Sequence, residues 1–332
     1  MIEKFTFEHL IQQISKNNIV PYFNTLDFCL FNNDCIETMS LFPDDCIDMV
    51  FADPPYLLSN DGISCHSGKM VSVNKGSWDK SNGFEKDLLF HESWLKECRR
   101  ILKPEGTIWV SGTLHNIYQT GYLLQKLNFH ILNDIIWFKP NAAPNLACTT
   151  FAHSHETLLW SRKDKNSRHT FNYEQMKNGN FPEDKLKVPE KQMRSVWSIS
   201  TPAAKEKEFG KYPTQKPLNL LNRIVQASTK DDDIILDPFN GSGTTGIATK
   251  LIRNRKYIGI DIDSEYYLGV SLWVGLYTSI FFSNAKVNTK KKIYSIIPNA
   301  KKTYNYETIR TSYSNNEKKR RLCYFRISQS KC

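Results

Sequence analysis

The chain lacks the signals that mark several classes of protein. Among its 332 residues no apolar run approaches the roughly 18 that a membrane helix needs, and the longest candidate, residues 266–282, is interrupted by glycine, serine and threonine. The N-terminus has no basic-then-apolar pattern of a signal peptide. The eight cysteines never form a Cys-x-x-Cys pair, so zinc-ribbon spacing is missing and a disulfide framework is not expected. We therefore expect a cytoplasmic protein without a membrane segment.

Charge is abundant but uneven along the chain. The net charge of +10 combines two mildly acidic blocks with two basic ones. Residues 1–138 carry 11 Lys/Arg against 17 Asp/Glu, and residues 217–284 carry 6 against 7. Residues 139–216 carry 14 against 8, and residues 285–332 carry 13 against 2. This division predicts a polyanionic partner held by the basic blocks, although a solvated basic surface with a disordered tail is the alternative.

Short apolar runs alternate with stretches of helical period. Strands are predicted at 46–52, 106–111, 131–138, 157–160, 233–236 and 256–260, and helices at 88–102, 115–127, 218–228 and 244–253. This alternation predicts an α/β fold with a mostly parallel sheet. The candidate site residues follow strands, at the edge where such sheets bind their ligands.

The rhythm divides the chain into five parts. We predict an N-terminal arm (1–27), a catalytic half (28–139), an inserted substrate-reading region (140–212), a cofactor-binding half (213–283) and a basic C-terminal extension (284–332). The inserted region is rich in Asn, His, Lys and Pro and has only short apolar runs.

The first motif is Asp237-Pro-Phe-Asn-Gly-Ser-Gly-Thr-Thr245, between a predicted strand and a helix. Its glycines allow close backbone approach to a ligand, and the helix start presents free N–H groups. It has neither the dinucleotide-binding pattern of glycines nor the Gly-Lys-Ser/Thr of a P-loop. A carboxylate beside such a turn, with Asp261 closing the next strand where it can bind ribose, suits S-adenosylmethionine. A plain tight turn is the alternative.

The second motif is Asp53-Pro-Pro-Tyr56, directly after a predicted strand. The two prolines fix the backbone and remove two donors, which leaves carbonyls unpaired. A carboxylate and a carbonyl together can hold an amino group, and Tyr56 offers a face on which a base can stack. A rigid structural turn is the alternative.

In this order, with the second motif beginning 184 residues after the start of the first, the two motifs resemble those of the β class of DNA amino-methyltransferases. Further matching stretches are Asn33-Asp-Cys35, Trp109-Val-Ser-Gly112, Leu114-His-Asn-Ile-Tyr118, Pro144-Asn145, Phe151-Ala-His-Ser-His-Glu-Thr157, Arg194-Ser-Val-Trp197 and Thr214-Gln-Lys-Pro217, so the likeness covers about residues 28–268. Within the class, residues 57–80 are similar to the second adenine methylases of DpnII-type restriction–modification systems, which modify GATC and some of which accept single strands. HinfI-type enzymes, which modify GANTC, share many of these blocks and compete with that assignment.

The resemblance implies a Rossmann-like methyltransferase sheet with an inserted target-recognition region, and methyl transfer from S-adenosylmethionine to adenine N6. Asp53, Pro54, Pro55 and Tyr56 are then catalytic. The implied cofactor-binding residues are Asp34, Cys35, Lys216, Asp237, Phe239, Gly241, Ser242, Gly243, Thr244 and Asp261. Of these, Lys216 is expected at the cofactor's carboxylate, Asp261 at its ribose and Asp34 at its adenine amino group.

The implied partners are DNA, double- or single-stranded, a restriction endonuclease and a second copy of the chain, in the nucleoid of a prokaryotic cell. In the recognition region we expect DNA contacts from Lys139, Arg162, Lys163, Arg168 and Arg194. No metal is expected, because the histidines at 153, 155 and 169 have no acidic or cysteine partner at ligand spacing.

Three other functions stay open. A cytosine-N4 methyltransferase would use the same acceptor geometry, but such enzymes more often carry Ser in place of Asp53. Glutamine methylation usually goes with Asn there. An inactive DNA-binding homologue is disfavoured by the intact motif residues.

Overall fold

The structure is a computed structural model that describes residues 6–57, 63–66, 69–72, 79–179, 181, 190–207, 212, 214–263, 267, 270–271, 274, 304–305 and 328–329. The helices are α1 Phe7–Ser15, α2 Cys35–Ser40, α3 Phe84–Ile101, α4 Ile117–Lys126, α5 Tyr173–Asn178, α6 Leu218–Ser228 and α7 Thr244–Ile252, with a 3-10 turn at Ala204–Lys207. The strands are β1 Phe23–Asn24, β2 Phe28–Asn32, β3 Ile47–Ala52, β4 Ile63–His66, β5 Lys69–Ser72, β6 Leu102–Gly112, β7 His130–Phe138, β8 His155–Arg162, β9 Val196–Ser198, β10 Ile234–Asp237, β11 Lys256–Asp261, β12 Tyr304–Asn305 and β13 Ser328–Gln329.

Nine of these strands form one sheet in the order β1-β2-β11-β10-β3-β6-β8-β7-β9. The five from β2 to β6 are parallel, whereas β8 runs antiparallel to both of its neighbours and β9 is parallel to β7. The predicted parallel core is therefore present, and a mixed extension follows it. β4 and β5 pair separately as an antiparallel hairpin, and β12 pairs with β13.

Two apolar clusters cover the sheet. One joins buried side chains of α1, α2, α3 and α4 to the sheet, and the other joins those of α6 and α7 to it. The central strands β10 and β11 lie between these clusters and therefore carry consecutive buried residues, as the β10 run Ile-Ile-Leu illustrates. No helix among the described residues is long and apolar enough to cross a membrane.

Two of the predicted segments, the N-terminal arm and the recognition region, contribute strands to this sheet. Within the predicted arm, α1 buries Phe7, Leu10, Ile11 and Ile14 in the first apolar cluster, and β1 pairs with β2. Within the predicted recognition region, β8 lies between β6 and β7, and β9 pairs with β7. β8 buries four consecutive residues, Leu158–Ser161, as a strand inside a covered sheet does. Of the predicted C-terminal extension, only the short β12 and β13 lie within the described residues.

Candidate active site

The site forms along the edge of the sheet where the parallel strands end. Asp34 follows β2, Asp261 and Asp237 end β11 and β10, and Asp53 follows β3, so four acidic residues reach the same edge. β8 runs the other way, and it is therefore its N-terminal end that brings Glu156 to this edge. A cavity of about 260 Å³ opens here. It is lined by Asp53–Tyr56, by the Asp237–Thr245 motif except Gly243, and by Asp34, Cys35, Asp79, Phe90, Tyr212, Thr214, Lys216, Asp261 and Ile262.

One side of the cavity is lined by Asp53–Tyr56 and Lys216, and Glu156 contacts Tyr56 and Lys216 without lining the cavity itself; we call these residues the target wall. The Tyr56 hydroxyl lies 2.7 Å from Asp53 Oδ1 and 3.0 Å from Glu156 Oε2. Ser111 Oγ at the end of β6 is also 3.0 Å from it. The tetrapeptide Asp53–Tyr56 is therefore tied to the ends of two further strands.

Lys216 completes the target wall. Its ammonium group donates to Asp53 Oδ2 at 2.5 Å and to the Tyr56 hydroxyl at 3.0 Å, and it lies 3.4 Å from Glu156 Oε2. Lys139 donates to the other Glu156 oxygen, Oε1, at 3.1 Å. Two ammonium groups and two carboxylates thus balance one another in a buried cluster.

In this cluster, burial and ion pairing shift the pKa of each group in opposite directions. Burial raises the pKa of the Asp53 carboxyl above its usual value, against the opposing effect of the Lys216 ammonium. Burial acts in the same direction on Glu156, but Lys216 and Lys139 outweigh it and lower its pKa to about 2. For Lys216, burial lowers the pKa, yet Asp53 and Glu156 together raise it above its usual value. At neutral pH Glu156 and Lys216 are therefore both charged.

The backbone of the tetrapeptide is held from below by Asp79. Its Oδ1 accepts the backbone N–H groups of Tyr56 at 3.0 Å and Leu57 at 2.8 Å, and the side chain is fully buried. Leu57 has a φ of +61°, which is unfavourable for a branched side chain without such support. Asp79 is therefore a structural clamp for the turn after β3.

The opposite side of the cavity, which we call the cofactor wall, consists of Asp237–Thr245 and Asp261. Asp237 accepts the Phe239 N–H at 3.1 Å and the Thr245 hydroxyl at 2.6 Å. Asp261 accepts the Gly241 N–H at 2.6 Å and the Asp263 N–H at 2.9 Å. Burial raises the pKa of Asp237 to about 7 and raises that of Asp261 above its usual value. Within the part of the chain that the structure describes, neither carboxylate has a Lys or Arg ion-pair partner.

The glycines of this wall are required by its geometry. Gly241 and Gly243 have φ of +48° and +69°, in the left-handed region that favours glycine. A Cβ on Gly243 would lie 2.5 Å from Val270 Cγ2, so a larger residue does not fit. Ser242 Oγ lies 3.0 Å from Thr244 Oγ1, and the half-buried Phe239 ring packs edge-on against Trp94 at 5.3 Å.

The two carboxylates of this wall fit the charge of the predicted cofactor. S-adenosylmethionine carries positive charge on its sulfonium and ammonium groups, and two buried carboxylates without a cationic partner among the described residues would be stabilised by it. Asp34 and Cys35 also line the cavity. Asp34 Oδ1 caps α2 by accepting the N–H groups of Ile36 and Glu37, both at 2.9 Å.

The structure places Lys216 differently from the sequence-based expectation. It was expected at the cofactor's carboxylate, but its ammonium contacts Asp53, Tyr56 and Glu156 instead. The reason is electrostatic, because a buried ammonium is stabilised by the two carboxylates beside it. Lys216 therefore belongs to the target wall here.

The five predicted DNA contacts divide into two groups. Arg168 and Arg194 are exposed, while Lys139 pairs with Glu156. The Arg162 guanidinium binds the carbonyls of Lys165 and Ser167, and Lys163 Nζ binds Asp45 and the Leu102 carbonyl. Those two side chains already bond within the protein near the start of β6 and the end of β8, so Arg168 and Arg194 are the most accessible of the five predicted contacts.

Sequence reasoning assigned no role to Glu156, Ser111 or Asp79. Glu156 stands at the start of the apolar run Thr157–Trp160, and a carboxylate entering a buried strand was the one available signal. Among the described residues no cluster of His, Cys, Asp and Glu has the geometry of a metal site.

Comparison with known proteins matches residues 47–270 to the family described as DNA methylase. The Type II methyltransferase M2.DpnII of Streptococcus pneumoniae is 49% identical over 247 residues, which are 74% of this chain and 89% of that protein. The Type II methyltransferase M.HinfI of Haemophilus influenzae is 45% identical over 257 residues, 76% of this chain and 68% of that protein. Among solved structures, the M1.HpyAVI–SAM complex matches with a TM-score of 0.52 and 25% identity over 73% of this chain and 97% of that one. The predicted fold class is confirmed by this likeness.

Proposed function

Since the chain belongs to the DNA methylase family, we propose that it transfers a methyl group to the N6 atom of adenine within GATC, as the modifying enzyme of a restriction–modification system. The enzyme is a DNA methyltransferase and S-adenosylmethionine is its cofactor. The observation that supports methylation of adenine N6 is that the target wall and the cofactor wall, which differ in chemistry, face the same cavity. The target wall presents an acceptor for an amino group, and the cofactor wall presents carboxylates for a cation.

The cofactor supplies a methyl group that is activated by its attachment to a sulfonium. Asp237 and Asp261 would hold its positively charged end and its ribose, and the turn from Gly241 to Thr244 allows the backbone to approach it. Holding the methyl group in line with the acceptor nitrogen contributes to the rate by proximity.

The acceptor nitrogen needs help from the protein. The N6 lone pair of adenine is delocalised into the ring, so the free amino group is a poor nucleophile. Hydrogen bonds from N6 to the Asp53 carboxylate and the Pro54 carbonyl favour a more tetrahedral and more reactive nitrogen. Tyr56, which lines the cavity, offers its ring for stacking against the base. That contact offsets an unstacking free energy of a few kcal/mol when adenine leaves the duplex.

The proposal that the methylated base is adenine rests on Asp53, because an aspartate at this position favours adenine N6 over cytosine N4 as the acceptor. GATC is favoured over GANTC by the similarity of residues 57–80 to the DpnII-type second methylases, although most of that stretch lies outside the described residues. Arg168 and Arg194 are exposed and are the proposed DNA contacts. A restriction endonuclease of the same specificity and a second copy of the chain are the proposed partners, acting with DNA in the cytoplasm.

The test is methylation of defined oligonucleotides. Purified protein is incubated with labelled S-adenosylmethionine and with single- or double-stranded DNA containing GATC, GANTC or neither, and the modified nucleoside is identified by mass spectrometry. N6-methyladenine in the GATC substrates alone is the expected result. Label in GANTC would transfer the assignment to the HinfI type. N4-methylcytosine, or cofactor binding without any transfer, would overturn the adenine proposal.

A further inference from the structure

The Tyr56 hydroxyl has more partners than it can serve at once. It has a single hydrogen to donate, yet two carboxylates lie within reach, Asp53 at 2.7 Å and Glu156 at 3.0 Å. Lys216 donates to its oxygen at 3.0 Å in either case. The hydroxyl can therefore turn its hydrogen from one carboxylate to the other and stay satisfied in both states.

Lys216 also lies within reach of both carboxylates. Its side chain is only 5% exposed, and its ammonium lies between Asp53 Oδ2 at 2.5 Å and Glu156 Oε2 at 3.4 Å. Lys139 stays on Glu156 Oε1 at 3.1 Å and balances the second carboxylate. A shift of Lys216 toward Glu156 would therefore keep both ammonium groups beside a carboxylate.

The proposed reaction favours such a shift. Asp53 must accept a hydrogen bond from the target amino group, but its side chain is only 16% exposed and both of its oxygens already accept from internal donors. An incoming amino group must therefore share this carboxylate with Tyr56 and Lys216, and those two bonds weaken Asp53 as an acceptor for it. A buried donor that is released without a new acceptor would oppose binding of the base.

We propose that Glu156 is a positioning residue that takes over the Tyr56 hydroxyl and the Lys216 ammonium when Asp53 bonds the target amino group. Glu156 Oε2 already lies within 3.0 and 3.4 Å of these two groups, so the exchange needs no movement of the main chain. The role rests on the proposed function, since it presupposes that Asp53 receives an amino group. It assigns Glu156 a part in each reaction cycle, beyond that of a counter-charge for Lys139.

The first test is Glu156→Gln, followed by kcat and kcat/KM against pH on the full-length chain. The ionic groups facing Asp53 are Lys216, Glu156 and, across the cavity, Asp237, with the Tyr56 hydroxyl also in contact. Loss of the Glu156 charge leaves Asp53 as the one carboxylate that still forms an ion pair with Lys216 among those it contacts in the described structure. We therefore expect kcat to fall about 10- to 100-fold, with cofactor affinity by calorimetry within about twofold of wild type. Because the Glu156 charge raises the pKa of Asp53, its removal should shift the acid limb of kcat/KM to lower pH.

A matched control is Asp48→Asn at the opposite end of β3. Asp48 pairs with Lys103 at 2.7 Å, so this change also removes an ion-paired carboxylate from the sheet, but away from the cavity. It should lower thermal stability and leave the acid limb in place.

A second variant separates the effect of the Glu156 charge from that of its side-chain length. Glu156→Asp keeps the charge but shortens the side chain by one methylene, so kcat should fall while the acid limb stays at its wild-type pH. An acid limb that is unshifted in Glu156→Gln, or kcat values of both variants equal to that of Asp48→Asn, would overturn the proposal. Absence of methylation by the wild-type protein would instead contradict the proposed function.

Discussion

The two walls of the cavity differ in how their negative charge is balanced. On the target wall, Asp53 and Glu156 are neutralised by Lys216 and Lys139, and the pKa of Glu156 falls to about 2. On the cofactor wall, Asp237 and Asp261 are held by backbone N–H groups and a hydroxyl, and burial raises the pKa of both. The carboxylates of the target wall are already neutralised by lysines, which suits a neutral base. Those of the cofactor wall have no such cation among the described residues, which suits a cationic cofactor. On this difference we base the proposal that the target wall receives the base and the cofactor wall the cofactor.

The strongest test of this division is Asp53→Ala. It removes the acceptor for the amino group without touching the cofactor wall, so methylation should fall about a thousandfold or more. Cofactor affinity, measured by calorimetry, should change little. Affinity lost in parallel with activity would show that the two walls do not work separately.

The reciprocal test is Asp237→Asn, which removes a charge that the cofactor is expected to need. Cofactor affinity should fall about 10- to 100-fold. With a pKa of about 7, Asp237 is increasingly ionised as the pH rises, so wild-type affinity should increase from pH 6 to 8, and the variant should lose that dependence.

Asp233→Asn is the matched control for this experiment, because Asp233 precedes the same strand, β10, at its other end. Burial raises its pKa to about 6, yet it does not line the cavity. A pH dependence that disappears in the control as well would show that it does not arise at the cofactor wall.

A smaller effect is expected on the stability of the protein without cofactor. The folded state binds the Asp237 proton more tightly than the unfolded state, whose pKa is near 3.8. The stabilisation from this group is therefore complete below pH 3.8 and lost as the pH rises to about 7. In Asp237→Asn, Tm should decline less between pH 5 and 7, by roughly 5 °C. An equal decline in both proteins, followed by circular dichroism, would contradict the raised pKa.

The same contrast explains how far the site could be predicted from sequence. The cofactor wall is local, because Asp237, the glycines and the start of α7 are consecutive in the chain, and their order alone predicted a strand, a turn and a helix. Helix α6 was predicted with the bounds that the structure has, since its apolar period is regular. Asp53 and Asp261 were placed correctly at the ends of their strands for the same reason.

The target wall is assembled from distant parts of the chain. Glu156 reaches the site only because β8 is antiparallel to β6, and nothing local in Thr157–Trp160 determines the direction of a strand. Lys216 contacts Asp53 across 163 positions of sequence, so its partner depends on the whole fold. Similarly, α1 was assigned to an arm because its four buried residues show their role only once they pack on the sheet.

The smallest expected effect concerns charge that belongs to neither wall. Residues 285–332 carry 13 basic residues against 2 acidic ones, and we predict that they attract phosphates without reading sequence. A chain ending at residue 284 should bind DNA with a shallower dependence of log Kd on log salt, while cofactor affinity and kcat at saturating DNA stay at wild-type values. The measurement is fluorescence anisotropy with a labelled duplex from about 50 to 200 mM salt, the range over which phosphate contacts are most visible. Equal slopes would show that the extension is idle in DNA binding. A loss of kcat or of cofactor affinity would show that the walls depend on a third region, and the division drawn between them would then be incomplete.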